Sequence, residues 1–165
     1  MEGRGPALSG QLALLYVQGA KEPFAQEAEA VYTKKISPMV RFSIVNVRAP
    51  SLDGESAPEK IKRESEKLLK QISPQDYVIL FDESGRAAEG SEEFSRRIVK
   101  ALGSGRTRTV CVIGGAFGVD ESVRTRADLT LSLSRLTFNH HIAKVVVLEQ
   151  VYRALTIWKG LPYHH

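Results

Sequence analysis

The sequence has a single cysteine, Cys111, in a chain of 165 residues. One cysteine excludes an internal disulfide framework and a cysteine-based zinc site. Its setting, Val110-Cys111-Val112-Ile113, reads as a buried small hydrophobe. Such sparing use of cysteine fits a reducing compartment. No stretch approaches the roughly 20 apolar residues that span a bilayer. Leu12 to Val17 is too short for a signal-peptide core. The four histidines fall in two adjacent pairs, His140-His141 and His164-His165. Neither pair has metal-ligand spacing and no H-E-x-x-H motif occurs, so no metal is expected. There is no G-x-S-x-G elbow for a serine nucleophile, and no Gly-Lys-Ser or Gly-Lys-Thr to mark a phosphate loop.

What is present suits one soluble globular domain. Hydrophobic residues make up 42% and charged residues 25%, enough of each for a packed core under a solvated surface. Residues 1–10, rich in glycine, read as a flexible extension, and 11–165 as a single domain. The net charge of +4 is compatible with a polyanionic partner. Ala30 to Leu52 contains no acid but holds Lys34, Lys35, Arg41 and Arg48, and Arg124, Arg126 and Arg135 form a second basic group. Ordinary solvated faces would explain both groups equally well.

Apolar runs and turn residues alternate along the chain. Leu12–Gln18, Val40–Val47, Tyr77–Phe81, Thr109–Ile113 and Leu129–Leu133 read as strands. Pro23–Lys35, Pro58–Ile72, a segment capped by Ser91 and closed by Gly103, a short segment from Asp120, and His140–Lys159 read as helices. Asp82-Glu83-Ser84-Gly85 reads as the turn that ends the third strand. In the second helix, Lys60, Lys62, Arg63, Lys67 and Lys70 alternate with Glu59, Glu64 and Glu66, the pattern of an exposed charged face. The alternation of strand and helix predicts an α/β fold, a mostly parallel sheet with helices on both faces.

Ile113-Gly114-Gly115-Ala116-Phe117-Gly118 lies between a strand and a helix, where open α/β sheets bind ligands. Its spacing is not the G-x-G-x-x-G of dinucleotide enzymes, and Asp128 follows too soon, which disfavours an oxidoreductase. The glycines alone are equally compatible with a tight turn. On the last helix Glu149, Tyr152 and Arg153 are neighbours at helical spacing. Charges among apolar residues there need partners, either in a structural ion pair or at a catalytic arginine.

Three segments together carry a resemblance. Val112 to Gly118 is similar to the glycine loop of the RlmH or YbeA-like ribosomal RNA pseudouridine N3-methyltransferases, within the SPOUT superfamily. Leu131-Ser132-Leu133-Ser134-Arg135-Leu136-Thr137-Phe138-Asn139-His140 resembles their next motif. Leu148-Glu149-Gln150-Val151-Tyr152-Arg153-Ala154, followed by Tyr163-His164-His165, resembles their C-terminal signature. The similarity covers about residues 11 to 165. It implies a SPOUT fold with a C-terminal trefoil knot, an exception to the avoidance of knots, together with a homodimer and a cytoplasmic location. The residues before the first strand leave an organelle open.

The resemblance further implies S-adenosylmethionine as cofactor. Phe81, Gly114, Gly115, Leu133, Ser134, Arg135, Leu136, Thr137 and Phe138 would bind it, with Leu133, Leu136 and Phe138 against the adenine. The acceptor would be N3 of a pseudouridine in large-subunit ribosomal RNA. Of the residues matched at the end of the chain, His164 suits a general base at neutral pH. Arg153 suits a phosphate or developing negative charge, and Tyr163 suits stacking on a flipped base. The rival reading is an RNA-binding relative without methyl transfer.

Overall fold

The computed structural model describes residue 8 and residues 10–165, so most of the expected flexible extension lies outside the described residues. Five strands, β1 (Gln11–Gln18), β2 (Arg41–Arg48), β3 (Asp76–Ala87), β4 (Arg108–Ile113) and β5 (Leu129–Ser132), form one sheet in the order β2-β1-β4-β3-β5. Every pairing is parallel. The helices are α1 (Pro23–Ile36), α2 (Ala57–Lys70), α3 (Ser91–Leu102), α4 (Glu121–Arg126) and α5 (His140–Lys159). None of the described helices is long and apolar enough to cross a membrane.

Both faces of the sheet are covered, which is why the central strands are apolar at almost every position. Leu12, Leu14, Tyr16, Ile79, Cys111 and Ile113 join a core with residues of α3 and α5. Their alternates Leu15, Val17, Val78, Leu80, Val110 and Val112 join Leu68 and Val123, from α2 and α4, on the other face. Burial raises the Cys111 thiol to about 12, in keeping with its reading as a core hydrophobe. The α/β reading therefore holds, and α5 has the bounds that its sequence indicated, closed by Gly160 at φ +71°.

Three local expectations are corrected. The third strand does not end at Phe81. Its pairing with β5 is interrupted after Phe81 and resumes at Arg86, which pairs with Leu131. Turn-forming residues here make an irregularity within a strand. Ser91 is not the cap of α3. Gly90 takes that position at φ +135°, and the Ser91 hydroxyl instead donates to Gln150 Oε1 on α5 at 3.0 Å. Glu64 does not belong to an exposed charged face, because it is only 3% exposed, with Ser65 beside it fully buried.

A largely buried ion pair ties α5 to the neighbouring helix α1 and to the sheet. Lys144 Nζ lies 2.7 Å from Glu29 Oε2 on α1 and 3.8 Å from the centre of the Tyr16 ring on β1. The Tyr16 hydroxyl donates to the same carboxylate at 3.2 Å. Burial, then the Glu29 charge, pushes the Tyr16 hydroxyl far above its ordinary value, so it remains a donor.

Gly85 lies where β3 returns to β5. A Cβ there would sit 2.6 Å from the Leu131 carbonyl carbon, and backbone cannot yield as a side chain can. Gly85→Ala is therefore expected to cost about 1–3 kcal/mol, as overpacking does. Urea denaturation should show a lower midpoint with an unchanged slope. An unchanged midpoint would mean that the two strands are not held this closely.

Candidate active site

The irregular middle of β3 and the loops that leave the carboxyl ends of β4 and β5 converge on a cleft of about 600 Å³. Ligands bind at this edge of a parallel sheet because the loops there diverge to opposite faces. Of the nine expected cofactor residues, eight line the cleft: Phe81, Gly114, Gly115, Leu133, Ser134, Leu136, Thr137 and Phe138. Arg135 does not, and its side chain is exposed. The loop after β5 is shaped by its own serines. The Ser132 hydroxyl donates to the Ser134 carbonyl, and the Ser134 hydroxyl accepts from the Leu136 N–H, both at 2.9 Å. Leu136, 73% exposed, and Phe117, 57% exposed, present apolar surface at the cleft, with Lys60 Nζ 6.0 Å from the centre of the Phe117 ring.

The glycine loop is built by packing. A Cβ on Gly114 would meet Val119 Cγ1 at 2.7 Å, and one on Gly115 would meet Glu64 Oε1 at 2.7 Å. Gly118, at φ +82°, closes the turn, with its N–H donating to the Gly115 carbonyl at 3.0 Å. At Gly115 the absence of a Cβ also leaves room for a buried carboxylate on α2, that of Glu64.

Beside the loop, Asp82 accepts from Ser84 and, at 3.3 Å, from Arg124. Burial works to raise the Asp82 carboxyl, but these hydrogen bonds outweigh it and hold the group below its ordinary value. Arg124 and Arg126, from the second basic group of the sequence, are thus paired with acids, Arg126 with Asp128 at 3.2 Å. His140 lines the far wall. Burial, then the charges of His141, Lys144 and Lys60, depresses its imidazole, favouring the neutral form.

A second cavity of about 610 Å³ lies across Gly115, Ala116 and His140, which line both spaces. The ends of β1 and β2 supply Lys21 and Arg48 to it, and α2 supplies Lys60 and Glu64. Glu64 Oε1 is buried without a hydrogen-bond partner. Burial raises its carboxyl while Lys60 and Arg63 act against the rise.

The three expected catalytic residues form a separate cluster at the far end of α5. Arg153 Nε donates to Glu149 at 3.0 Å, and Arg153 Nη1 lies 3.2 Å from His164 Nδ1. The guanidinium sits 4.8 Å from the centre of the Tyr163 ring, which packs edge-on against Tyr152 at 4.8 Å. The chain's last residues thus fold back on α5. Arg153 follows His140 by thirteen helical residues. At about 1.5 Å per residue, that puts the cluster about 20 Å along the helix from the cleft wall. Within one chain, cleft and cluster do not meet.

A family model described as "Predicted SPOUT methyltransferase" matches residues 11–164. The chain belongs to the SPOUT methyltransferase family. It is 47% identical over 146 residues to the ribosomal RNA large subunit methyltransferase H of Bdellovibrio bacteriovorus, covering 88% of this chain and 93% of that one. The protein of the same name from Carboxydothermus hydrogenoformans is 34% identical over 163 residues, covering 93% and 99%. Solved structures of similar fold are more distant in sequence. A methylase family protein from Neisseria gonorrhoeae superposes with a TM-score of 0.56 at 10% identity, covering 100% of this chain and 90% of that one. The SpoU methyltransferase AviRb from Streptomyces viridochromogenes gives 0.51 at 16% identity, covering 94% and 63%.

Glu64 escaped sequence reasoning because its neighbours in the sequence are charged. The only signal was its spacing, four residues before Leu68 on the apolar face. The packing of Gly115 on Glu64 can be measured in this SPOUT domain. Gly115→Ala should cost about 1–3 kcal/mol of stability. Glu64→Ala, which removes the obstructing carboxylate, should recover part of that loss, so the two costs should fall short of additivity by at least about 0.5 kcal/mol. Additive costs in the double-variant cycle would contradict the contact.

Proposed function

We propose that this chain transfers a methyl group from S-adenosylmethionine to N3 of a pseudouridine in large-subunit ribosomal RNA. The observation that carries the reading is the cleft between the irregular middle of β3 and the loops after β4 and β5, lined by eight of the nine residues expected there, in a chain nearly half identical to a named large-subunit RNA methyltransferase. Its volume is within the range of small-molecule and cofactor sites. The apolar side chains of Leu133, Leu136 and Phe138 fit an adenine, and the loop backbone around Gly114 and Gly115 offers polar groups to the rest of a nucleoside. The trefoil knot belongs to this proposal, as the threading that would hold these segments together. When bound, the cofactor supplies a methyl group already activated by its sulfonium.

The chain's own task is to position the acceptor, exclude water and remove one proton. N3 of pseudouridine carries an imino proton, and its departure leaves negative charge shared with the flanking carbonyl oxygens. Arg153 can only donate, so its contact with His164 occupies the Nδ1 lone pair and leaves the neutral imidazole's proton on Nε2. His164 can therefore serve as base only once Arg153 turns away. We infer that the incoming base draws the Arg153 guanidinium to its carbonyl oxygen. That movement frees His164 Nδ1 to take the N3 proton, while Tyr163 stacks on the base.

The distance between cleft and tail supports a site shared by two chains. The tail of one copy would close over the cleft of another, which accords with a homodimer. Exposed Ile142 and Leu161, at opposite ends of α5, offer apolar surface for that association.

Incorporation of labelled methyl from S-adenosylmethionine into ribosomal RNA tests the reading, alongside calorimetry for cofactor binding. Cofactor binding without transfer to RNA, or no binding at all, would refute it. His164→Ala should lower turnover by about 10²–10⁴-fold while RNA affinity changes little. It should also remove one ionisation from the pH profile of the reaction. Normal turnover with an unaltered profile would leave Arg153 or a water as the agent of proton removal.

A further inference from the structure

The second cavity has a composition that the cofactor cleft does not explain. Three cations stand around it: Lys21 after β1, Arg48 at the end of β2 and Lys60 on α2. Lys60 Nζ also donates to Ser51 at 2.9 Å, within the loop that forms the outer wall. Among these cations stands one acid. Glu64 is 97% buried by its 3% exposure, lines the cavity, and keeps one carboxylate oxygen with no donor. The cost of such a group is large unless a ligand supplies the missing hydrogen bond. Arg63, its neighbour in sequence, does not supply it, because that guanidinium is engaged with Glu55 at 2.7 Å and the Pro50 carbonyl at 2.8 Å.

The position is as informative as the composition. Gly115 separates the two spaces, with its Cα against the Glu64 carboxylate on one side and the cofactor cleft on the other. A planar base entering the second cavity would therefore approach the cleft edge-on past Gly115 and Ala116. Its backbone phosphates would remain at the mouth with the cations. A cavity of about 610 Å³ is large enough for a nucleotide and larger than an amino-acid tail requires.

Resting on the function proposed above, we propose that the second cavity seats the acceptor nucleotide, with Glu64 accepting an imino N–H of the base and Lys21, Arg48 and Lys60 holding its flanking phosphates. The chemistry of the base gives this contact a consequence. Pseudouridine is joined to its ribose through carbon, so both ring nitrogens carry a proton. When N3 faces the cleft, N1–H remains to be satisfied on an adjacent edge. Uridine has no N1–H, because that nitrogen bears the sugar. A buried carboxylate that accepts N1–H discriminates between the two bases, since with uridine it stays unpaired. Glu64 is thus a specificity-determining residue for the isomerised base.

The test uses large ribosomal subunits carrying either pseudouridine or uridine at the acceptor position, the latter from cells lacking the responsible pseudouridine synthase. Single-turnover methylation is measured for the wild-type protein, for the near-isosteric Glu64→Gln and for Glu64→Ala. Cofactor affinity is measured by calorimetry for each. The wild type should prefer pseudouridine, and both variants should lower the pseudouridine-to-uridine rate ratio by about tenfold or more, as loss of a charge-assisted hydrogen bond would. Cofactor affinity should remain within about twofold of wild type. An unchanged ratio overturns the assignment of Glu64. A large loss of cofactor affinity with an unchanged ratio overturns it too, and gives Glu64 to the cofactor's ammonium group. Should the wild type methylate neither substrate, the function itself fails and this inference with it.

Discussion

The Lys144–Glu29 pair fixes the position of α5, and most of what this molecule could do depends on where α5 lies. Burying an ammonium and a carboxylate costs several kcal/mol each unless they meet, and here they meet at 2.7 Å with the Tyr16 ring and hydroxyl completing the shell. The helix so held presents His140 and Ala143 to the cleft at its start and Glu149, Tyr152 and Arg153 to the tail at its end. Being rigid, it sets the separation between the two groups. A flexible linker could bring the tail over the chain's own cleft. A pinned helix of 20 residues cannot bend to do so.

The sheet imposes a second constraint. β5 lies outside β3, so the chain leaving β4 must cross β3 and return to its far side. The glycine loop begins that crossing, and Gly85 lets β3 and β5 approach closely where it ends. The cleft is thus formed by segments that the crossing requires, and packing at Gly114 and Gly115 together with the positive φ of Gly118 shapes it before any ligand is considered. This explains how a domain of this size can hold a cleft of about 600 Å³ without a separate lid.

Much of this was legible in the sequence, for identifiable reasons. The central strands are buried on both faces and so read as apolar runs. The run from His140 to Lys159 closed by Gly160 has the bounds of α5, and the structure adds Asn139 as its N-cap, accepting from the His141 N–H. The cleft residues were legible by resemblance, and the structure brings eight of the nine together. Other features depend on contacts remote in sequence. Asp82 to Gly85 have turn chemistry and do interrupt the pairing with β5, yet the strand resumes at Arg86 against Leu131 rather than ending. Ser91 has cap chemistry, yet Gln150 on α5 claims its hydroxyl. Glu64 looks solvated among lysines and is buried because Gly115 leaves room for it. In each case the local preference was read correctly and a tertiary partner overrode it.

The central claim is that cleft and tail from different chains make one working site. Complementation between two disabled variants measures this directly. Leu136→Asp places a charge on the exposed apolar wall of the cleft and should abolish cofactor use without disturbing the core, since Leu136 is 73% exposed. Removal of residues 163–165 takes away the tail. Each variant alone should be inactive in methyl transfer to ribosomal RNA. Co-expressed, they should recover about a quarter of wild-type activity, because half of randomly paired dimers carry one intact cleft facing one intact tail. No recovery in demonstrably mixed dimers would contradict the account and place the whole site within a single chain.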